Sequence, residues 1–251
     1  MQTNYQPYNF EKSLQRIDEI LNSSNDSYKE VDYIPSESQL TFTNGFYVNA
    51  TSLFVDLRDS TSLSRNHKRP VLAKIFKSFI SEVIAIMNAN RNCKYINIDG
   101  DCVSGVYDTF YQEDIASVLD DAIKINTLIE ILSCKFKKKG YSEIRAGIGI
   151  DYGRLLFVKT GFEGSGLNDV AWMGNALNIA AKLSGIGGKI ITSPIVISEV
   201  VFNNIKDLNS NYENWFIKGY NYGLNLQYYH GDLINKYMNS WYEKNCLNKG
   251  L

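Results

Sequence analysis

The sequence predicts an α+β fold built on a ferredoxin-like core, in the order strand, helix, strand, strand, helix, strand. Three observations carry that prediction. β-Rich apolar runs and long helical periodicities alternate in this order between residues 52 and 150. A tight Gly100-Asp101 turn splits the middle two strands. The two helices carry their own punctuation: Pro70 opens the first, and Lys137-Lys138-Lys139-Gly140 closes the second, where positive charge and glycine suit a helix C-terminus.

Taken in order, residues 52–58 form the first strand, around Ser52-Leu53-Phe54-Val55. Pro70 to Asn90 is a helix, 94–99 and 102–107 are strands, 112–139 is a long helix, and Glu143 to Ile150 is a strand. The first crossover links parallel strands, so the third strand slots between the first and second, antiparallel to both. Ahead of this core, residues 1–50 form an extension with an amphipathic helix at about Phe10 to Leu21, a polar loop Asn22 to Tyr28, and a hairpin turning at Asn44-Gly45. Beyond Lys182, Gly185-Ile186-Gly187-Gly188 is a turn, Lys189 to Thr192 a short strand and Pro194 to Phe202 a helix. Residues 213–218 and 224–230 pair as closing strands. In the tail, Leu233, Tyr237 and Trp241 recur at helical spacing as a packing stripe. The divisions are 1–50 for the extension, 51–232 for the main domain and 233–251 for the helical tail.

The 251 residues suffice for one large domain, and a net charge of −1 gives no reason to expect nucleic acid or an acidic membrane surface as partner. The basic run Lys135 to Lys139 reads as a helix end. No stretch reaches the length of a membrane span, and Met1-Gln2-Thr3-Asn4 is unlike a signal peptide, so a cytoplasmic location is expected. Cys93, Cys102, Cys134 and Cys246 lack metal-ligand spacing and read as free thiols in a reducing cytosol. His67 and His230 are too isolated for a zinc site or a catalytic triad.

Two aspartates stand out. Asp56 ends the first strand and Asp101 opens the third, and the topology makes them neighbours. Two carboxylates brought close repel each other unless a cation lies between them. Oxygen ligands of this kind suit Mg²⁺ or Mn²⁺, normally completed by substrate phosphates. The chain therefore reads as an enzyme acting on a nucleoside triphosphate.

Four segments resemble the class III nucleotidyl cyclases. Leu53-Phe54-Val55-Asp56-Leu57-Arg58-Asp59-Ser60-Thr61 is similar to the family's first metal-binding segment, and Ile98-Asp99-Gly100-Asp101 to the second. Ile144-Arg145-Ala146-Gly147-Ile148-Gly149-Ile150-Asp151-Tyr152-Gly153-Arg154 resembles the following strand and turn. Trp172-Met173-Gly174-Asn175-Ala176-Leu177-Asn178-Ile179-Ala180-Ala181-Lys182-Leu183 resembles the transition-state helix. Within that family, Val55-Asp56-Leu57-Arg58-Asp59-Ser60-Thr61, His67-Lys68-Arg69-Pro70, Ile80-Ser81-Glu82-Val83 and Ile98 through Thr109 look like the pyrimidine cyclases of the bacterial Pycsar antiphage system, which make cyclic UMP or cyclic CMP.

The resemblance implies a set of roles. Asp56 and Asp101 bridge two divalent ions, Mn²⁺ or Mg²⁺, with the Leu57 carbonyl as a further ligand. Backbone N–H groups of Arg58, Asp59, Ser60 and Thr61 cradle the β- and γ-phosphates. Asn178 orients the ribose, Lys182 stands where the family has an arginine, and Lys218 reaches the terminal phosphates. Lys182 offers a point charge in place of a planar fork, so bidentate contact is lost. Asn97 and Ala171 occupy the places where purine cyclases use Lys and Asp, and Trp172 fills the room a purine needs. An amide pairs with either pyrimidine; the closer resemblance favours UTP over CTP. The metal aspartates and the Asn178 helix serve opposite subunits of a homodimer with interface sites. The product acts on a cyclic-nucleotide-responsive effector. A cytidylate cyclase, an adenylate or guanylate cyclase, and a degenerate non-catalytic domain are the alternatives. The Gly-Gly-Asp/Glu-Glu-Phe signature of diguanylate cyclases is absent.

Overall fold

The computed structural model describes residues 5–162, 166–209 and 211–247, so the Met1-Gln2-Thr3-Asn4 reading lies outside the described residues. In chain order the elements are α1 (Phe10–Leu21), β1 (Tyr28–Glu30), β2 (Gly45–Leu57), α2 (Ser60–Asn66), α3 (Arg69–Asn88), β3 (Cys93–Asp99), β4 (Cys102–Asp108) and α4 (Gln112–Lys137). They continue with β5 (Ala146–Gly161), β6 (Asn168–Met173), α5 (Asn175–Ile186), β7 (Ile195–Ser198), α6 (Glu199–Ile205), α7 (Tyr212–Trp215), β8 (Ile217–Asn221), β9 (Leu226–Gly231) and α8 (Lys236–Tyr242).

One sheet runs β3-β4-β2-β5-β7-β9-β8, with β1 parallel beside the start of β2 and β6 antiparallel beside the end of β5. The third core strand, β4, lies between β2 and β3 and antiparallel to both, as the βαββαβ order requires. Alternation along β2 divides the molecule. Leu53, Val55 and Leu57 enter the main core with Ile75, Phe79, Val83 and Met87 of α3 and the buried stripe of α4. Ala50, on the other face, packs with Leu155 and with Ala176 of α5. Gly147 and Gly149 admit α5 to that face: a Cβ there would lie 2.2 Å from the Ser184 carbonyl oxygen and 2.0 Å from that of Ala180.

Several expectations are corrected. Asn44-Gly45 is not a hairpin turn: the Asn44 side chain accepts the Thr41 N–H at 2.7 Å, and a Cβ at Gly45 would meet the Tyr28 ring at 2.9 Å, so close approach explains the glycine. The first strand starts at Gly45 and the fourth runs on to Gly161, because the two pair along thirteen positions and β6 extends the second half of β5. Lys189 to Thr192 form no strand, only a Gly187–Ile191 bridge. The expected helix at Pro194 begins instead as β7, since Ile195-Val196-Ile197 is buried on both faces and pairs parallel with β5. Helix α6 follows, capped where Ser198 Oγ accepts the Val201 N–H. Cys134 and Cys246 are not free thiols but a disulfide, with Cα atoms 6.0 Å apart; α8 packs along α4 and brings the tail to it. Cys93 and Cys102 are free. No helix among the described residues is long and apolar enough to cross a membrane.

Candidate active site

The β2–β4 register sets Asp56 opposite Cys102, so Asp101, at the Gly100 turn with φ 62°, lies beside the end of β2. The Asp56 carboxyl is pushed above its ordinary value, first by burial and further by Asp101, while Arg58 and Lys189 oppose the rise. Arg58 Nη1 donates to Asp56 Oδ2 at 2.8 Å. Its Nε donates to the Gly187 carbonyl at 2.9 Å and its Nη2 to that of Ser184, so this buried guanidinium straps Asp56 to the C-terminal end of α5. The Arg58 backbone N–H donates to the Arg145 carbonyl at 2.8 Å. The Arg58 backbone N–H, the group expected in the phosphate cradle, is therefore already paired.

The rest of that turn is open. Asp59 is left-handed at φ 56°, and its carbonyl accepts the N–H groups of Ser62 and Leu63, leaving those of Ser60 and Thr61 at the start of α2 without intrahelical acceptors. Arg145 Nη2 donates to Asp59 Oδ2 at 2.6 Å. Arg145 is the residue that sequence reasoning passed over: it stood inside a quoted segment, but only the β2–β5 pairing carries it to the turn. Leu57 buries its side chain in the core, which leaves its carbonyl as the one group it can present. Among the described residues no set of three or more His, Cys, Asp or Glu side chains is placed to hold a metal, so the carboxylate pair is the whole side-chain offer.

Asn97, on β3 opposite Ser104, lines a cavity of about 420 Å³ together with Tyr95, Cys102, Asp169, Trp172 and Leu177. Ala171 is not part of that lining. Trp172 stacks on Phe157 with centroids 4.3 Å apart and meets the edge of Tyr95 at 5.2 Å. On α5, Ala176, Ala180 and Leu183 are buried against the sheet, and Asn178 and Lys182 are exposed on the outer face. Among the described residues neither makes a hydrogen bond or ion pair to Asp56 or Asp101 within the chain. Lys218 is exposed on β8, separated from β2 by three strands. A cavity of about 830 Å³ against α5 at Asn175 and Ile179 is lined also by Asp151 and Tyr220 and by none of the residues predicted for the site.

No protein-family model matches the chain. It is 38% identical over 258 residues to a uridylate cyclase of Gulbenkiania mobilis, covering 98% of this chain and 100% of that one. It is 36% identical to a uridylate cyclase of Treponema porcinum, covering 96% and 82%. The chain belongs to the uridylate cyclase family. This cyclase shares its fold with the adenylyl cyclase CyaB of P. aeruginosa at a TM-score of 0.65 and 18% identity, over 77% of this chain and 98% of that one. It is an enzyme, a nucleotidyl cyclase, and its α+β fold is that of the class III catalytic domains.

Proposed function

We propose that the protein converts UTP to 3′,5′-cyclic UMP and pyrophosphate at sites formed between two copies of the chain. The observation that carries this reading is the grouping around α5. Leu177 walls the same cavity as Asn97 and Trp172, so Asn178 and Lys182 stand on the helix that borders this cavity. Among the described residues Asn178 and Lys182 make no hydrogen bond or ion pair to the carboxylate pair that would meet the phosphates. That division supports a homodimer in which each copy supplies one half-site.

Asp56 and Asp101 fit a divalent cation. They are adjacent acids, burial and Asp101 both disfavour the charged form of Asp56, and Arg58 engages only one of its oxygens. Mn²⁺ or Mg²⁺ held by these carboxylates and the Leu57 carbonyl would lower the pKa of the ribose 3′-hydroxyl and neutralise the triphosphate. Asn178 holds the ribose so that the 3′-oxygen faces the α-phosphorus. The new P–O bond forms there as the bond to pyrophosphate breaks, and the hydroxyl proton leaves to solvent. Lys182 supplies positive charge to the α-phosphoryl oxygens. The Ser60 and Thr61 N–H groups, Lys218 and, once released from Asp59, Arg145 receive the departing phosphates. In the base cavity Trp172 takes room that a purine requires.

The Asn97 amide presents both a donor and an acceptor, so CTP is the second reading. The resemblance to Pycsar enzymes supports a defence role in which the cyclic nucleotide acts on an effector. Incubation with ATP, GTP, CTP and UTP plus Mn²⁺ tests the assignment. Cyclic UMP is expected as the main product; predominant cyclic AMP or cyclic GMP overturns the pyrimidine reading, and predominant cyclic CMP overturns uracil alone.

A further inference from the structure

The C-terminal tail is anchored at its start and held by little further on. Asn126 Nδ2 donates to the Leu233 carbonyl at 2.9 Å, the Asn235 N–H donates to Thr127 Oγ1 at 2.8 Å, and Met238 packs on the main core. Yet neither α8 nor the π-helical turn Glu243–Leu247 that follows it contains a buried residue. That turn is fixed to α4 by the Cys134–Cys246 disulfide, by Lys138 Nζ donating to the Asn245 carbonyl at 2.7 Å, and by the Lys135 ammonium 4.9 Å from the Trp241 ring centroid. The last two are exposed polar contacts, for which water competes, so the covalent bond is the main hold. Both cysteines are partly exposed, and with Tyr242 and Arg145 they line a cavity of about 460 Å³, which opens the bond to a small thiol. Cys134 is also one residue from a link to the candidate site. The buried Ser133 Oγ donates to the Ile144 carbonyl at 2.9 Å and accepts the Ile144 N–H at 3.0 Å. Ile144 precedes Arg145, whose carbonyl accepts the Arg58 N–H and whose guanidinium meets Asp59. A continuous run of bonded groups thus joins the disulfide to the turn that bears Ser60 and Thr61, and coupling between sites travels through such runs.

We propose that the Cys134–Cys246 bond is a thiol-switched clamp on Arg145: the oxidised enzyme holds this residue at the phosphate turn, and the reduced enzyme binds UTP more weakly. The inference rests on the phosphate role given to Arg145 above and deepens it by naming what regulates that residue. The switching step is thiol–disulfide exchange with a dithiol. One thiolate of the dithiol attacks a sulfur of the bond to form a mixed disulfide, and its second thiol displaces the protein sulfur as the dithiol closes into a cyclic disulfide. Cys134 and Cys246 gain two electrons and two protons and become thiols; an oxidising disulfide such as oxidised glutathione reverses the exchange. Reduction leaves the turn Glu243–Leu247 on its two exposed contacts, so it opens locally, and the last turn of α4 loses the strap beside Ser133.

The test compares the full-length protein after oxidised glutathione with the same protein after dithiothreitol, each desalted before assay with UTP and Mg²⁺. A thiol count confirms the states, with Cys93 and Cys102 free in the first and all four cysteines free in the second. Reduction should raise KM for UTP about fivefold, the lower end of measured couplings between sites, and reoxidation should restore it. The effect falls on KM more than on kcat because contacts to the terminal phosphates are made before and during the reaction alike. Cys134→Ser/Cys246→Ser should show the reduced KM under both treatments, and Arg145→Ala a high KM that no longer responds to dithiothreitol. Equal KM in the two wild-type states overturns the inference, as do four free thiols after oxidised glutathione or a KM that falls on reduction. A redox response that survives in the double serine variant, through Cys93 or Cys102, or in Arg145→Ala also overturns it. All of these leave the UTP assignment standing if wild type makes cyclic UMP; wild type that makes none in either state ends both. Should the double variant fail to fold, wild type and Arg145→Ala decide.

Discussion

At the scale of single residues, the site is shaped by what each side chain is already holding. Arg58 is spent on Asp56, Ser184 and Gly187, whereas Asp56 keeps one oxygen for a cation. Asp56→Ala or Asp101→Ala should therefore abolish cyclase activity with the fold retained. Near-wild-type turnover of either variant in saturating Mn²⁺ would show the metal assignment to be wrong. Asp151 makes a different prediction. It is buried beside the 830 Å³ cavity, and burial pushes its carboxyl up to about 6 from an ordinary 3.8, against the lowering effect of hydrogen bonds from Ser198 and the Tyr152 backbone. Its folded pKa exceeds its unfolded one, so the folded state binds the extra proton between roughly pH 4 and 6 and stability falls as pH rises through that window. Above it the whole penalty is present, on the order of 2–3 kcal/mol from a shift of this size. Asp151→Asn should flatten that part of the stability–pH curve measured by urea denaturation. A curve identical to wild type would mean that Asp151 does not titrate there.

At the scale of elements, α5 and α4 matter most. Helix α5 buries its small residues against glycines of β5, which lets Asn178 and Lys182 face outward. Lys182→Ala should reduce kcat more than it raises KM, since charge stabilisation made in the transition state is lost; Lys182→Arg should retain most of the activity. An unchanged kcat in Lys182→Ala would leave Lys182 as a solvated helix residue. Helix α4 is joined to the tail by the Cys134–Cys246 disulfide, which spans 112 residues of chain. A cross-link closing a loop of that size contributes up to about 5 kcal/mol against unfolding in the chain-entropy account, and disulfides typically give about 2–4. Cys246→Ser or dithiothreitol should lower the urea midpoint accordingly, and equal midpoints with and without reductant would show that the bond does not form in solution.

At the scale of the whole molecule, Asn178 and Lys182 make no hydrogen bond or ion pair to Asp56 or Asp101 among the described residues, as the proposed division between two copies requires. Mixing inactive Asp56→Ala with inactive Asn178→Ala should restore partial activity, because a mixed dimer can contain one site free of both substitutions. Subunit exchange confirmed by mass and still no recovery would argue for catalysis within a single chain.

Much of this arrangement was legible in the linear chain. The strand–helix alternation, the Gly100 turn and the spacing of Asp56 and Asp101 are local patterns. Periodicity and turn chemistry act over a few residues, so they determine the core order and bring the carboxylates together through the sheet. The i, i+4 spacing of Asn178 and Lys182 likewise puts them on one helical face. What the chain alone left open depends on contacts between distant segments. Asn44-Gly45 has the composition of a hairpin turn, but Tyr28 packs against it. Ile195-Val196-Ile197 follows a proline that suits a helix start, but burial on both faces of β7 makes it a strand. Cys134 and Cys246 meet only because α8 lies on α4. Arg145 reaches Asp59, and Arg58 turns from phosphate to Asp56, only because β5 pairs with β2 and α5 lies close on glycines. Tertiary packing decided which polar groups are already satisfied.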